Sequence, residues 1–121
     1  MGKITRFEDI QAWQKARELV REIYKISNTG RFNRDFGLLD QIRRAAVSSM
    51  SNIAEGYGRK SDRYFAHFLD IAPASALEVQ SLLYVALDLE YIEKEEFRKL
   101  YHLADECISV IAGFSSYLRK S

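Results

Sequence analysis

Apolar residues recur three or four positions apart in four segments of the chain, and no segment alternates apolar and polar residues as a strand does. This spacing matches the period of an α-helix, so each segment predicts an amphipathic helix. Three short connections make neighbouring helices antiparallel. The pattern therefore predicts an all-α fold, an antiparallel up-down-up-down four-helix bundle that forms a single domain over residues 1–121.

The apolar stripe of each segment identifies the expected core. The four stripes are, in chain order, Ile10, Trp13, Ala16, Val20 and Ile23; Leu39, Ile42, Ala46, Ser49, Ile53 and Tyr57; Phe65, Phe68, Ala72, Val79, Leu83 and Ala86; and Phe97, Leu100, Ala104, Ile108, Ile111 and Leu118. Thr5 and Glu8 have the spacing of a capping box before the first segment. Gly30 can adopt the left-handed conformation that ends many helices.

Pro73 falls in the middle of the third segment. A proline inside a helix removes one backbone N–H donor and clashes with the preceding turn, which bends the helix. The alternative is a break into two separate helices. Because the apolar stripe keeps its phase on both sides, the sequence predicts one third helix that is kinked near Pro73.

The second segment carries another stripe, roughly 120° around the helix from the first. This polar stripe consists of Gln41, Ala45, Ser48, Asn52 and Glu55. Its small residues allow a second backbone to approach closely. Polar groups that such an approach buries need hydrogen-bond partners, since an unpaired one costs about 1–3 kcal/mol.

We therefore predict a structural polar network around this stripe. The network comprises Arg44, Asn52, Glu55 and Glu78: Arg44 is a plausible partner for Glu55, and Glu78 on the third segment can join them. A cluster of this kind fits either an active site or a network that fixes helix register. We favour the second interpretation, because two carboxylates without a histidine, a nucleophile or a glycine-rich loop do not define a reaction.

Composition and charge narrow the class of protein. At 121 residues the chain is long enough to bury a core as one domain. A formal net charge of +1 creates no overall preference for a polyanion or a membrane surface. The single cysteine, Cys107, cannot form an internal disulfide, and no apolar run is long enough to cross a membrane. We expect a soluble cytoplasmic protein without a membrane partner.

Residues that suggest catalysis or metal binding are few. His67 with Asp70, and His102 with Asp105, share a His-x-x-Asp spacing. Metal sites in helical bundles use inward-facing Glu-x-x-His pairs with further carboxylates, whereas these four residues lie off the apolar stripes. Cys107 borders the core stripe, which favours a buried thiol over a reactive one. The sequence therefore predicts no enzyme activity, no metal site and no cofactor.

Charge is unevenly distributed along the chain. Between residues 31 and 63 there are seven basic residues against four acidic ones, whereas residues 88–106 hold seven acidic residues against three basic ones. Clustered cations next to tyrosines are typical of a surface that binds phosphates and stacks on unpaired bases. The alternative is an ordinary solvated surface. The candidate nucleic-acid-binding residues are Arg31, Arg34, Arg43, Arg59, Lys60, Arg63, Tyr57 and Tyr64.

The third segment also has apolar residues outside its stripe, namely Leu77, Tyr84 and Val85. Surplus apolar and tyrosine side chains are common at protein interfaces. The sequence thus predicts a non-enzymatic homo-oligomer that binds RNA or DNA through a basic surface. The alternative is an oligomeric scaffold or adaptor that acts through protein contacts alone.

Several blocks of sequence resemble one protein family over residues 7–118. The blocks are "FEDIQAWQKARELVREIY", "QIRRAA…S…NIAEGYGRKS", "FLDIA", "SALE" and "LEYI". They are similar to the four-helix-bundle proteins encoded in intervening sequences of large-subunit ribosomal RNA genes. Those proteins are related in fold to the accessory variability determinant of diversity-generating retroelements.

The resemblance implies a homopentamer of bundles. For the retroelement relatives it also implies nucleic-acid and reverse-transcriptase partners, so a reverse transcriptase is expected here only if a retroelement is adjacent. The chain departs from the family pattern at Asn33, Tyr64, Pro73, Ala74 and Glu90, the last of which stands where a glycine is common. These departures concern the connections and the third helix.

Overall fold

The computed structural model describes residues 4–120, which are helical over most of their length and contain no strand. The four long helices are α1 Gln11–Ser27, α2 Phe36–Gly58, α3 Asp62–Asp88 and α4 Lys94–Lys120. Two short 3-10 turns, Phe7–Asp9 and Phe32–Arg34, precede α1 and α2. The predicted all-α class and the four predicted helices are confirmed.

Each helix packs against the next one along the chain, and α4 packs back against α1. This closes the up-down-up-down bundle that the short connections predicted. The stripes meet in one core, whose largest fully buried side chains include Leu19, Ile42, Ile53, Leu83 and Ile111. Burying a leucine or isoleucine side chain contributes about 1.5–3 kcal/mol, so the four stripes together stabilise the bundle.

The start of α1 differs from the predicted capping box. The chain forms the Phe7–Asp9 turn first, and α1 begins at Gln11 after Ile10, which makes no side-chain cap. Thr5 therefore lies too far from the helix and donates a hydrogen bond to the Asp9 carboxylate at 3.2 Å. Beyond the C-terminus of α1, Gly30 has the predicted left-handed conformation, with φ +57°.

Helix α3 is continuous through Pro73. The alternative of two separate helices is therefore wrong. Leu69, Ala72 and Ala76, on either side of the proline, are all buried in the same core. This shared burial keeps the two halves of α3 in register despite the missing backbone donor, and the kink near Pro73 stays a prediction.

The connections α1–α2 and α3–α4 meet at one end of the bundle, which we call the far end. Asp35 caps α2 by accepting from the Leu38 N–H at 3.2 Å, and it also accepts from the Tyr91 hydroxyl at 2.9 Å. This hydrogen bond raises the pKa of Tyr91 above its usual range. Arg31 donates to the Leu89 carbonyl at 3.1 Å and stacks over the Tyr91 ring. The two connections are thus tied together.

Glu90, in the α3–α4 connection, has φ +60°. A glycine takes this left-handed conformation at little cost, whereas other residues are strained there by about 1–2 kcal/mol. A glycine at this position, which the resemblance implies, would remove this strain, and Glu90 adopts the turn nonetheless.

Helices α2 and α3 pack closely against each other at Gly56. A Cβ atom at this position would lie 2.7 Å from the Phe68 Cβ and 3.1 Å from the Phe65 Cδ1. Real side chains do not tolerate such short contacts, so a larger residue would force the two helices apart. Gly56 thus permits the α2–α3 packing.

We expect Gly56→Ala to lower the melting temperature by several degrees. Overpacking of this kind costs about 1–3 kcal/mol, and each kilocalorie shifts a domain of this size by roughly 3–6 °C. Gly113→Ala is the matched control, because Gly113 lies inside α4 with no atom near an added Cβ. The control is expected to raise stability slightly through helix propensity. Equal melting temperatures for the two variants, measured by circular dichroism, would contradict the close approach.

Candidate nucleic-acid interface

The polar stripe of α2 faces α3 along the line where the two helices meet. Ala45 is buried, and Ser48 and Asn52 are half-buried. The Asn52 amide donates to the Ser48 carbonyl at 2.8 Å and to its hydroxyl at 3.0 Å, and the Ser75 hydroxyl donates to Ser48 Oγ at 3.0 Å. The close neighbour that the small residues permit is therefore α3 of the same chain.

The predicted pair between Arg44 and Glu55 is wrong. Eleven residues separate them along α2, which corresponds to about 16 Å of helix. Each instead forms an exposed pair one turn away: Arg44 Nε lies 3.1 Å from Asp40 Oδ2, and Glu55 Oε1 lies 3.8 Å from Arg59 Nη2. Such surface pairs contribute little to stability.

Glu78 likewise does not join Asn52. Its carboxylate accepts a hydrogen bond from the Gln41 side chain at 3.4 Å, on the exposed edge of the α2–α3 contact. The polar network thus consists of Ser48, Asn52 and Ser75 in the seam, with a separate Gln41–Glu78 pair at its edge.

Five of the six candidate cations lie at the two ends of α2, and the sixth, Arg43, lies within the helix. Arg31 and Arg34 belong to the α1–α2 connection at the far end, whereas Arg59, Lys60 and Arg63 lie at the α2–α3 connection. Helix α2 has 23 residues, so about 34 Å separates the two groups. The structure therefore separates the candidate residues of the α1–α2 connection from those of the α2–α3 connection.

Two of the candidate arginines make contacts within the chain. Arg31 binds the α3–α4 connection, as described above. Arg43, in the first half of α2, donates from Nε to the buried Ser27 hydroxyl at 3.0 Å. Its guanidinium also stacks over the Tyr24 ring, 4.5 Å from the centroid. Both side chains link elements of the bundle, whereas Arg34 is exposed.

Two further cations stand beside the α2–α3 connection. Antiparallel packing places the C-terminus of α4 at the same end as the N-terminus of α3, and the last turn of α4 contains Arg119 and Lys120. Arg119 forms an ion pair with Asp70 of α3. The cluster at this end, which we call the basic end, consists of Arg59, Lys60, Arg63, Arg119 and Lys120.

The sequence reasoning missed Arg119 and Lys120 because they lie some 56–61 residues from the α2–α3 connection. The signal that identifies them is topological. In an up-down-up-down bundle the second connection and the end of the fourth helix share one end, so "YLRK" belongs with "GYGRK".

Acidic neighbours neutralise part of the basic end. The hydrogen bond from Arg119 holds the pKa of Asp70 below its usual range and raises the pKa of Arg119. Arg59 pairs with Glu55 and stacks over the Phe68 ring at 5.5 Å. Lys60 and Arg63 are exposed, which leaves them accessible to a phosphate.

The two candidate tyrosines have different environments. Tyr64 is 58% exposed on the first turn of α3, as a stacking platform requires. Tyr57 is half-buried, and its ring meets Phe65 edge to face with 5.8 Å between the centroids. Tyr57 therefore belongs to an aromatic cluster beside the basic end and does not stand alone on the surface.

The His-x-x-Asp patterns are engaged in surface contacts. Asp70 binds Arg119, Asp105 accepts from Gln80 at 2.8 Å, and His102 lies 3.8 Å from Glu106. Within residues 4–120 no three histidine, cysteine or acidic side chains are grouped so that they could hold a metal ion.

Cys107 is buried, and this burial raises the pKa of its thiol to about 12. The thiol is therefore protonated at neutral pH. Since only the thiolate is a good nucleophile, Cys107 is unreactive in this state. None of the helices in the described part of the chain is both long enough and apolar enough to span a lipid bilayer.

These features define a small all-α protein, a four-helix bundle with a cluster of cations at one end. Residues 8–113 match the family model of the 23S rRNA-intervening sequence protein. The chain belongs to this family, as the resemblance indicated. No curated protein gives a significant match.

Solved structures share the fold. Among them is the 1.70 Å crystal structure of a protein of unknown function from the S23 ribosomal protein family of Bacteroides thetaiotaomicron. The two structures are similar with a TM-score of 0.76 and 24% sequence identity, over 86% of this chain and 97% of the other. At this identity the similarity supports the bundle and its topology.

We expect Asn52→Leu to lower the melting temperature by several degrees. The substitution removes the half-buried bonds between Asn52 and Ser48 and leaves polar groups of the seam unpaired, at a cost of about 1–3 kcal/mol. Glu55→Ala is the control on the same stripe. Its carboxylate is exposed, so the change in stability should stay within about 0.5 kcal/mol. A stable Asn52→Leu variant would show that the seam does not need the amide.

Proposed function

We propose that the protein is a non-enzymatic, homo-oligomeric helical bundle that binds RNA or DNA through the basic end. The observation that carries this proposal is the convergence of five cations from three helix termini: Arg59, Lys60, Arg63, Arg119 and Lys120. Phosphate binding depends on clustered surface charge, so a chain of net charge +1 can still bind a polyanion.

The charge of one subunit supports only a few phosphate contacts, because Arg59 and Arg119 already pair with Glu55 and Asp70. Affinity follows the number of phosphates neutralised and falls steeply with salt. An oligomer repeats the basic end, and several weak contacts on one strand then act together through effective concentration. Self-association thus strengthens the binding proposal.

Exposed apolar side chains support the proposed self-association. Leu77, Tyr84 and Val85 of α3 are 55%, 51% and 41% exposed. The Tyr84 ring also packs against Phe97 at 4.8 Å, which widens the apolar surface onto α4. The number five comes from the family resemblance. The same surface also fits the alternative function, an oligomeric scaffold that contacts only proteins.

We expect the triple variant Arg59→Gln/Lys60→Gln/Arg63→Gln to bind structured RNA and DNA at least about tenfold more weakly than the parent at low salt. Each lost phosphate contact should reduce the slope of log affinity against log salt by about 1. The measurement is fluorescence anisotropy at several salt concentrations.

The matched control is Arg21→Gln/Lys25→Gln/Lys94→Gln, which removes the same charge from exposed positions near the far end. The control should bind as the parent does. If both triple variants lose the same affinity, the effect is one of net charge. If the parent binds neither nucleic acid at low salt, the scaffold function replaces the binding proposal.

We expect light scattering behind a sizing column to give a mass several times the 14.0 kDa of the chain. Leu77→Lys/Tyr84→Lys should dissociate the oligomer, because a lysine buried without a partner at an interface is costly. Ser109→Lys, at an exposed position of α4, is the control and should leave the mass unchanged. A monomeric parent at micromolar concentration would refute the proposed self-association.

A further inference from the structure

Two concave sites lie side by side at the basic end. The first, the aromatic cavity, has a volume of about 700 Å³ and is lined by Tyr57, Phe65, Phe114, Tyr117, Leu118 and Lys60 among others. The second, the cationic cleft, measures about 340 Å³ and is lined by Arg63, His67 and Arg119. Asp62 and Leu118 line both sites and form their common wall.

The aromatic cavity is bordered by a continuous series of rings. Centroid distances are 5.8 Å between Tyr57 and Phe65, 5.4 Å between Phe65 and Phe114, and 6.2 Å between Phe114 and Tyr117. Its volume lies in the range of small-molecule sites, which are mostly apolar with a few polar groups. The Tyr57 and Tyr117 rings remain partly accessible, so a flat π-system can reach them.

The cationic cleft collects arginines from two helices. Arg63 lies on α3, on the same face as His67 four residues further on, and Arg119 joins them from α4. Arg119 directs one N–H towards Asp70 and another towards Ser115. A guanidinium has five N–H donors, so Arg119 retains donors for an anion. The N-terminus of α3 adds its positive dipole end to the same region.

The common wall separates the two kinds of chemistry. The Asp62 carboxylate repels a phosphate, which confines the phosphate to the side of Arg63 and Arg119. The aromatic cavity, with Lys60 among its lining residues, instead favours a flat apolar group. A molecule that places a planar base on one side of the wall and a phosphate on the other matches this arrangement. A base within a duplex cannot enter the cavity, because it is paired and stacked inside the helix.

We infer that the basic end binds an unpaired nucleotide of a single strand, with the base in the aromatic cavity and its phosphate in the cationic cleft. This inference rests on the proposed nucleic-acid function and specifies its ligand. It requires a preference for single strands over duplexes, which a general basic surface does not have.

The test compares a labelled single-stranded RNA of about ten nucleotides with the blunt duplex of the same sequence, by fluorescence anisotropy with the full chain. Tyr57→Leu and Tyr117→Leu keep an apolar side chain and remove the ring. Loss of base stacking should weaken single-strand binding by roughly 5- to 100-fold and leave duplex binding unchanged. Tyr117 is exposed, so its variant folds even if Tyr57→Leu does not.

Tyr24→Leu is the matched control, since this half-exposed ring stacks on Arg43 away from the basic end. It should bind both probes as the parent does. If the parent binds single strand and duplex equally, or if the Tyr117 variant binds the single strand as the parent does, the inference fails while the proposed function stands. If the parent binds neither probe at low salt, the proposed function fails as well.

Discussion

The close approach of α2 and α3 is the constraint on which the rest of the bundle depends. Gly56 leaves room for Phe68, and the small residues Ala45 and Ser48 continue the same contact along α2. Because the helices lie so near each other, the Ser75 hydroxyl of α3 can reach Ser48, to which the Asn52 amide also donates within α2. A helix rich in small and polar residues is therefore well suited to this position, where leucines would separate the two backbones.

The same packing sets the geometry of the basic end. Antiparallel neighbours bring the end of α2, the start of α3 and the end of α4 together, so cations from distant parts of the sequence become a cluster. The far end differs, because Arg31 is held by the Leu89 carbonyl and the Tyr91 ring. Arg31 thus joins the two connections at the far end, whereas Lys60 and Arg63 are exposed at the basic end.

The sequence predicted the four helices and most of the core, because apolar spacing reports directly which side of a helix is buried. It did not predict the partners of polar residues. Arg44 and Glu55 share a face in projection, but the rise of the helix separates them, and each finds a nearer partner in Asp40 or Arg59. Arg119 was missed because its place at the basic end follows from topology and not from neighbouring residues. The aromatic cavity could not be predicted from the sequence for the same reason, since its rings come from three helices.

The hydrogen bond between Tyr91 and Asp35 joins residues 56 positions apart and closes the far end of the bundle. At the basic end, α4 is joined to α3 by hydrogen bonds from Arg119 and Ser115 to the exposed Asp70 carboxylate. Local opening needs less free energy where fewer buried contacts must break. The helix termini around the aromatic cavity should therefore exchange amide hydrogens faster than the far end. A ligand that bound there would slow this exchange, because it would bind the closed form alone.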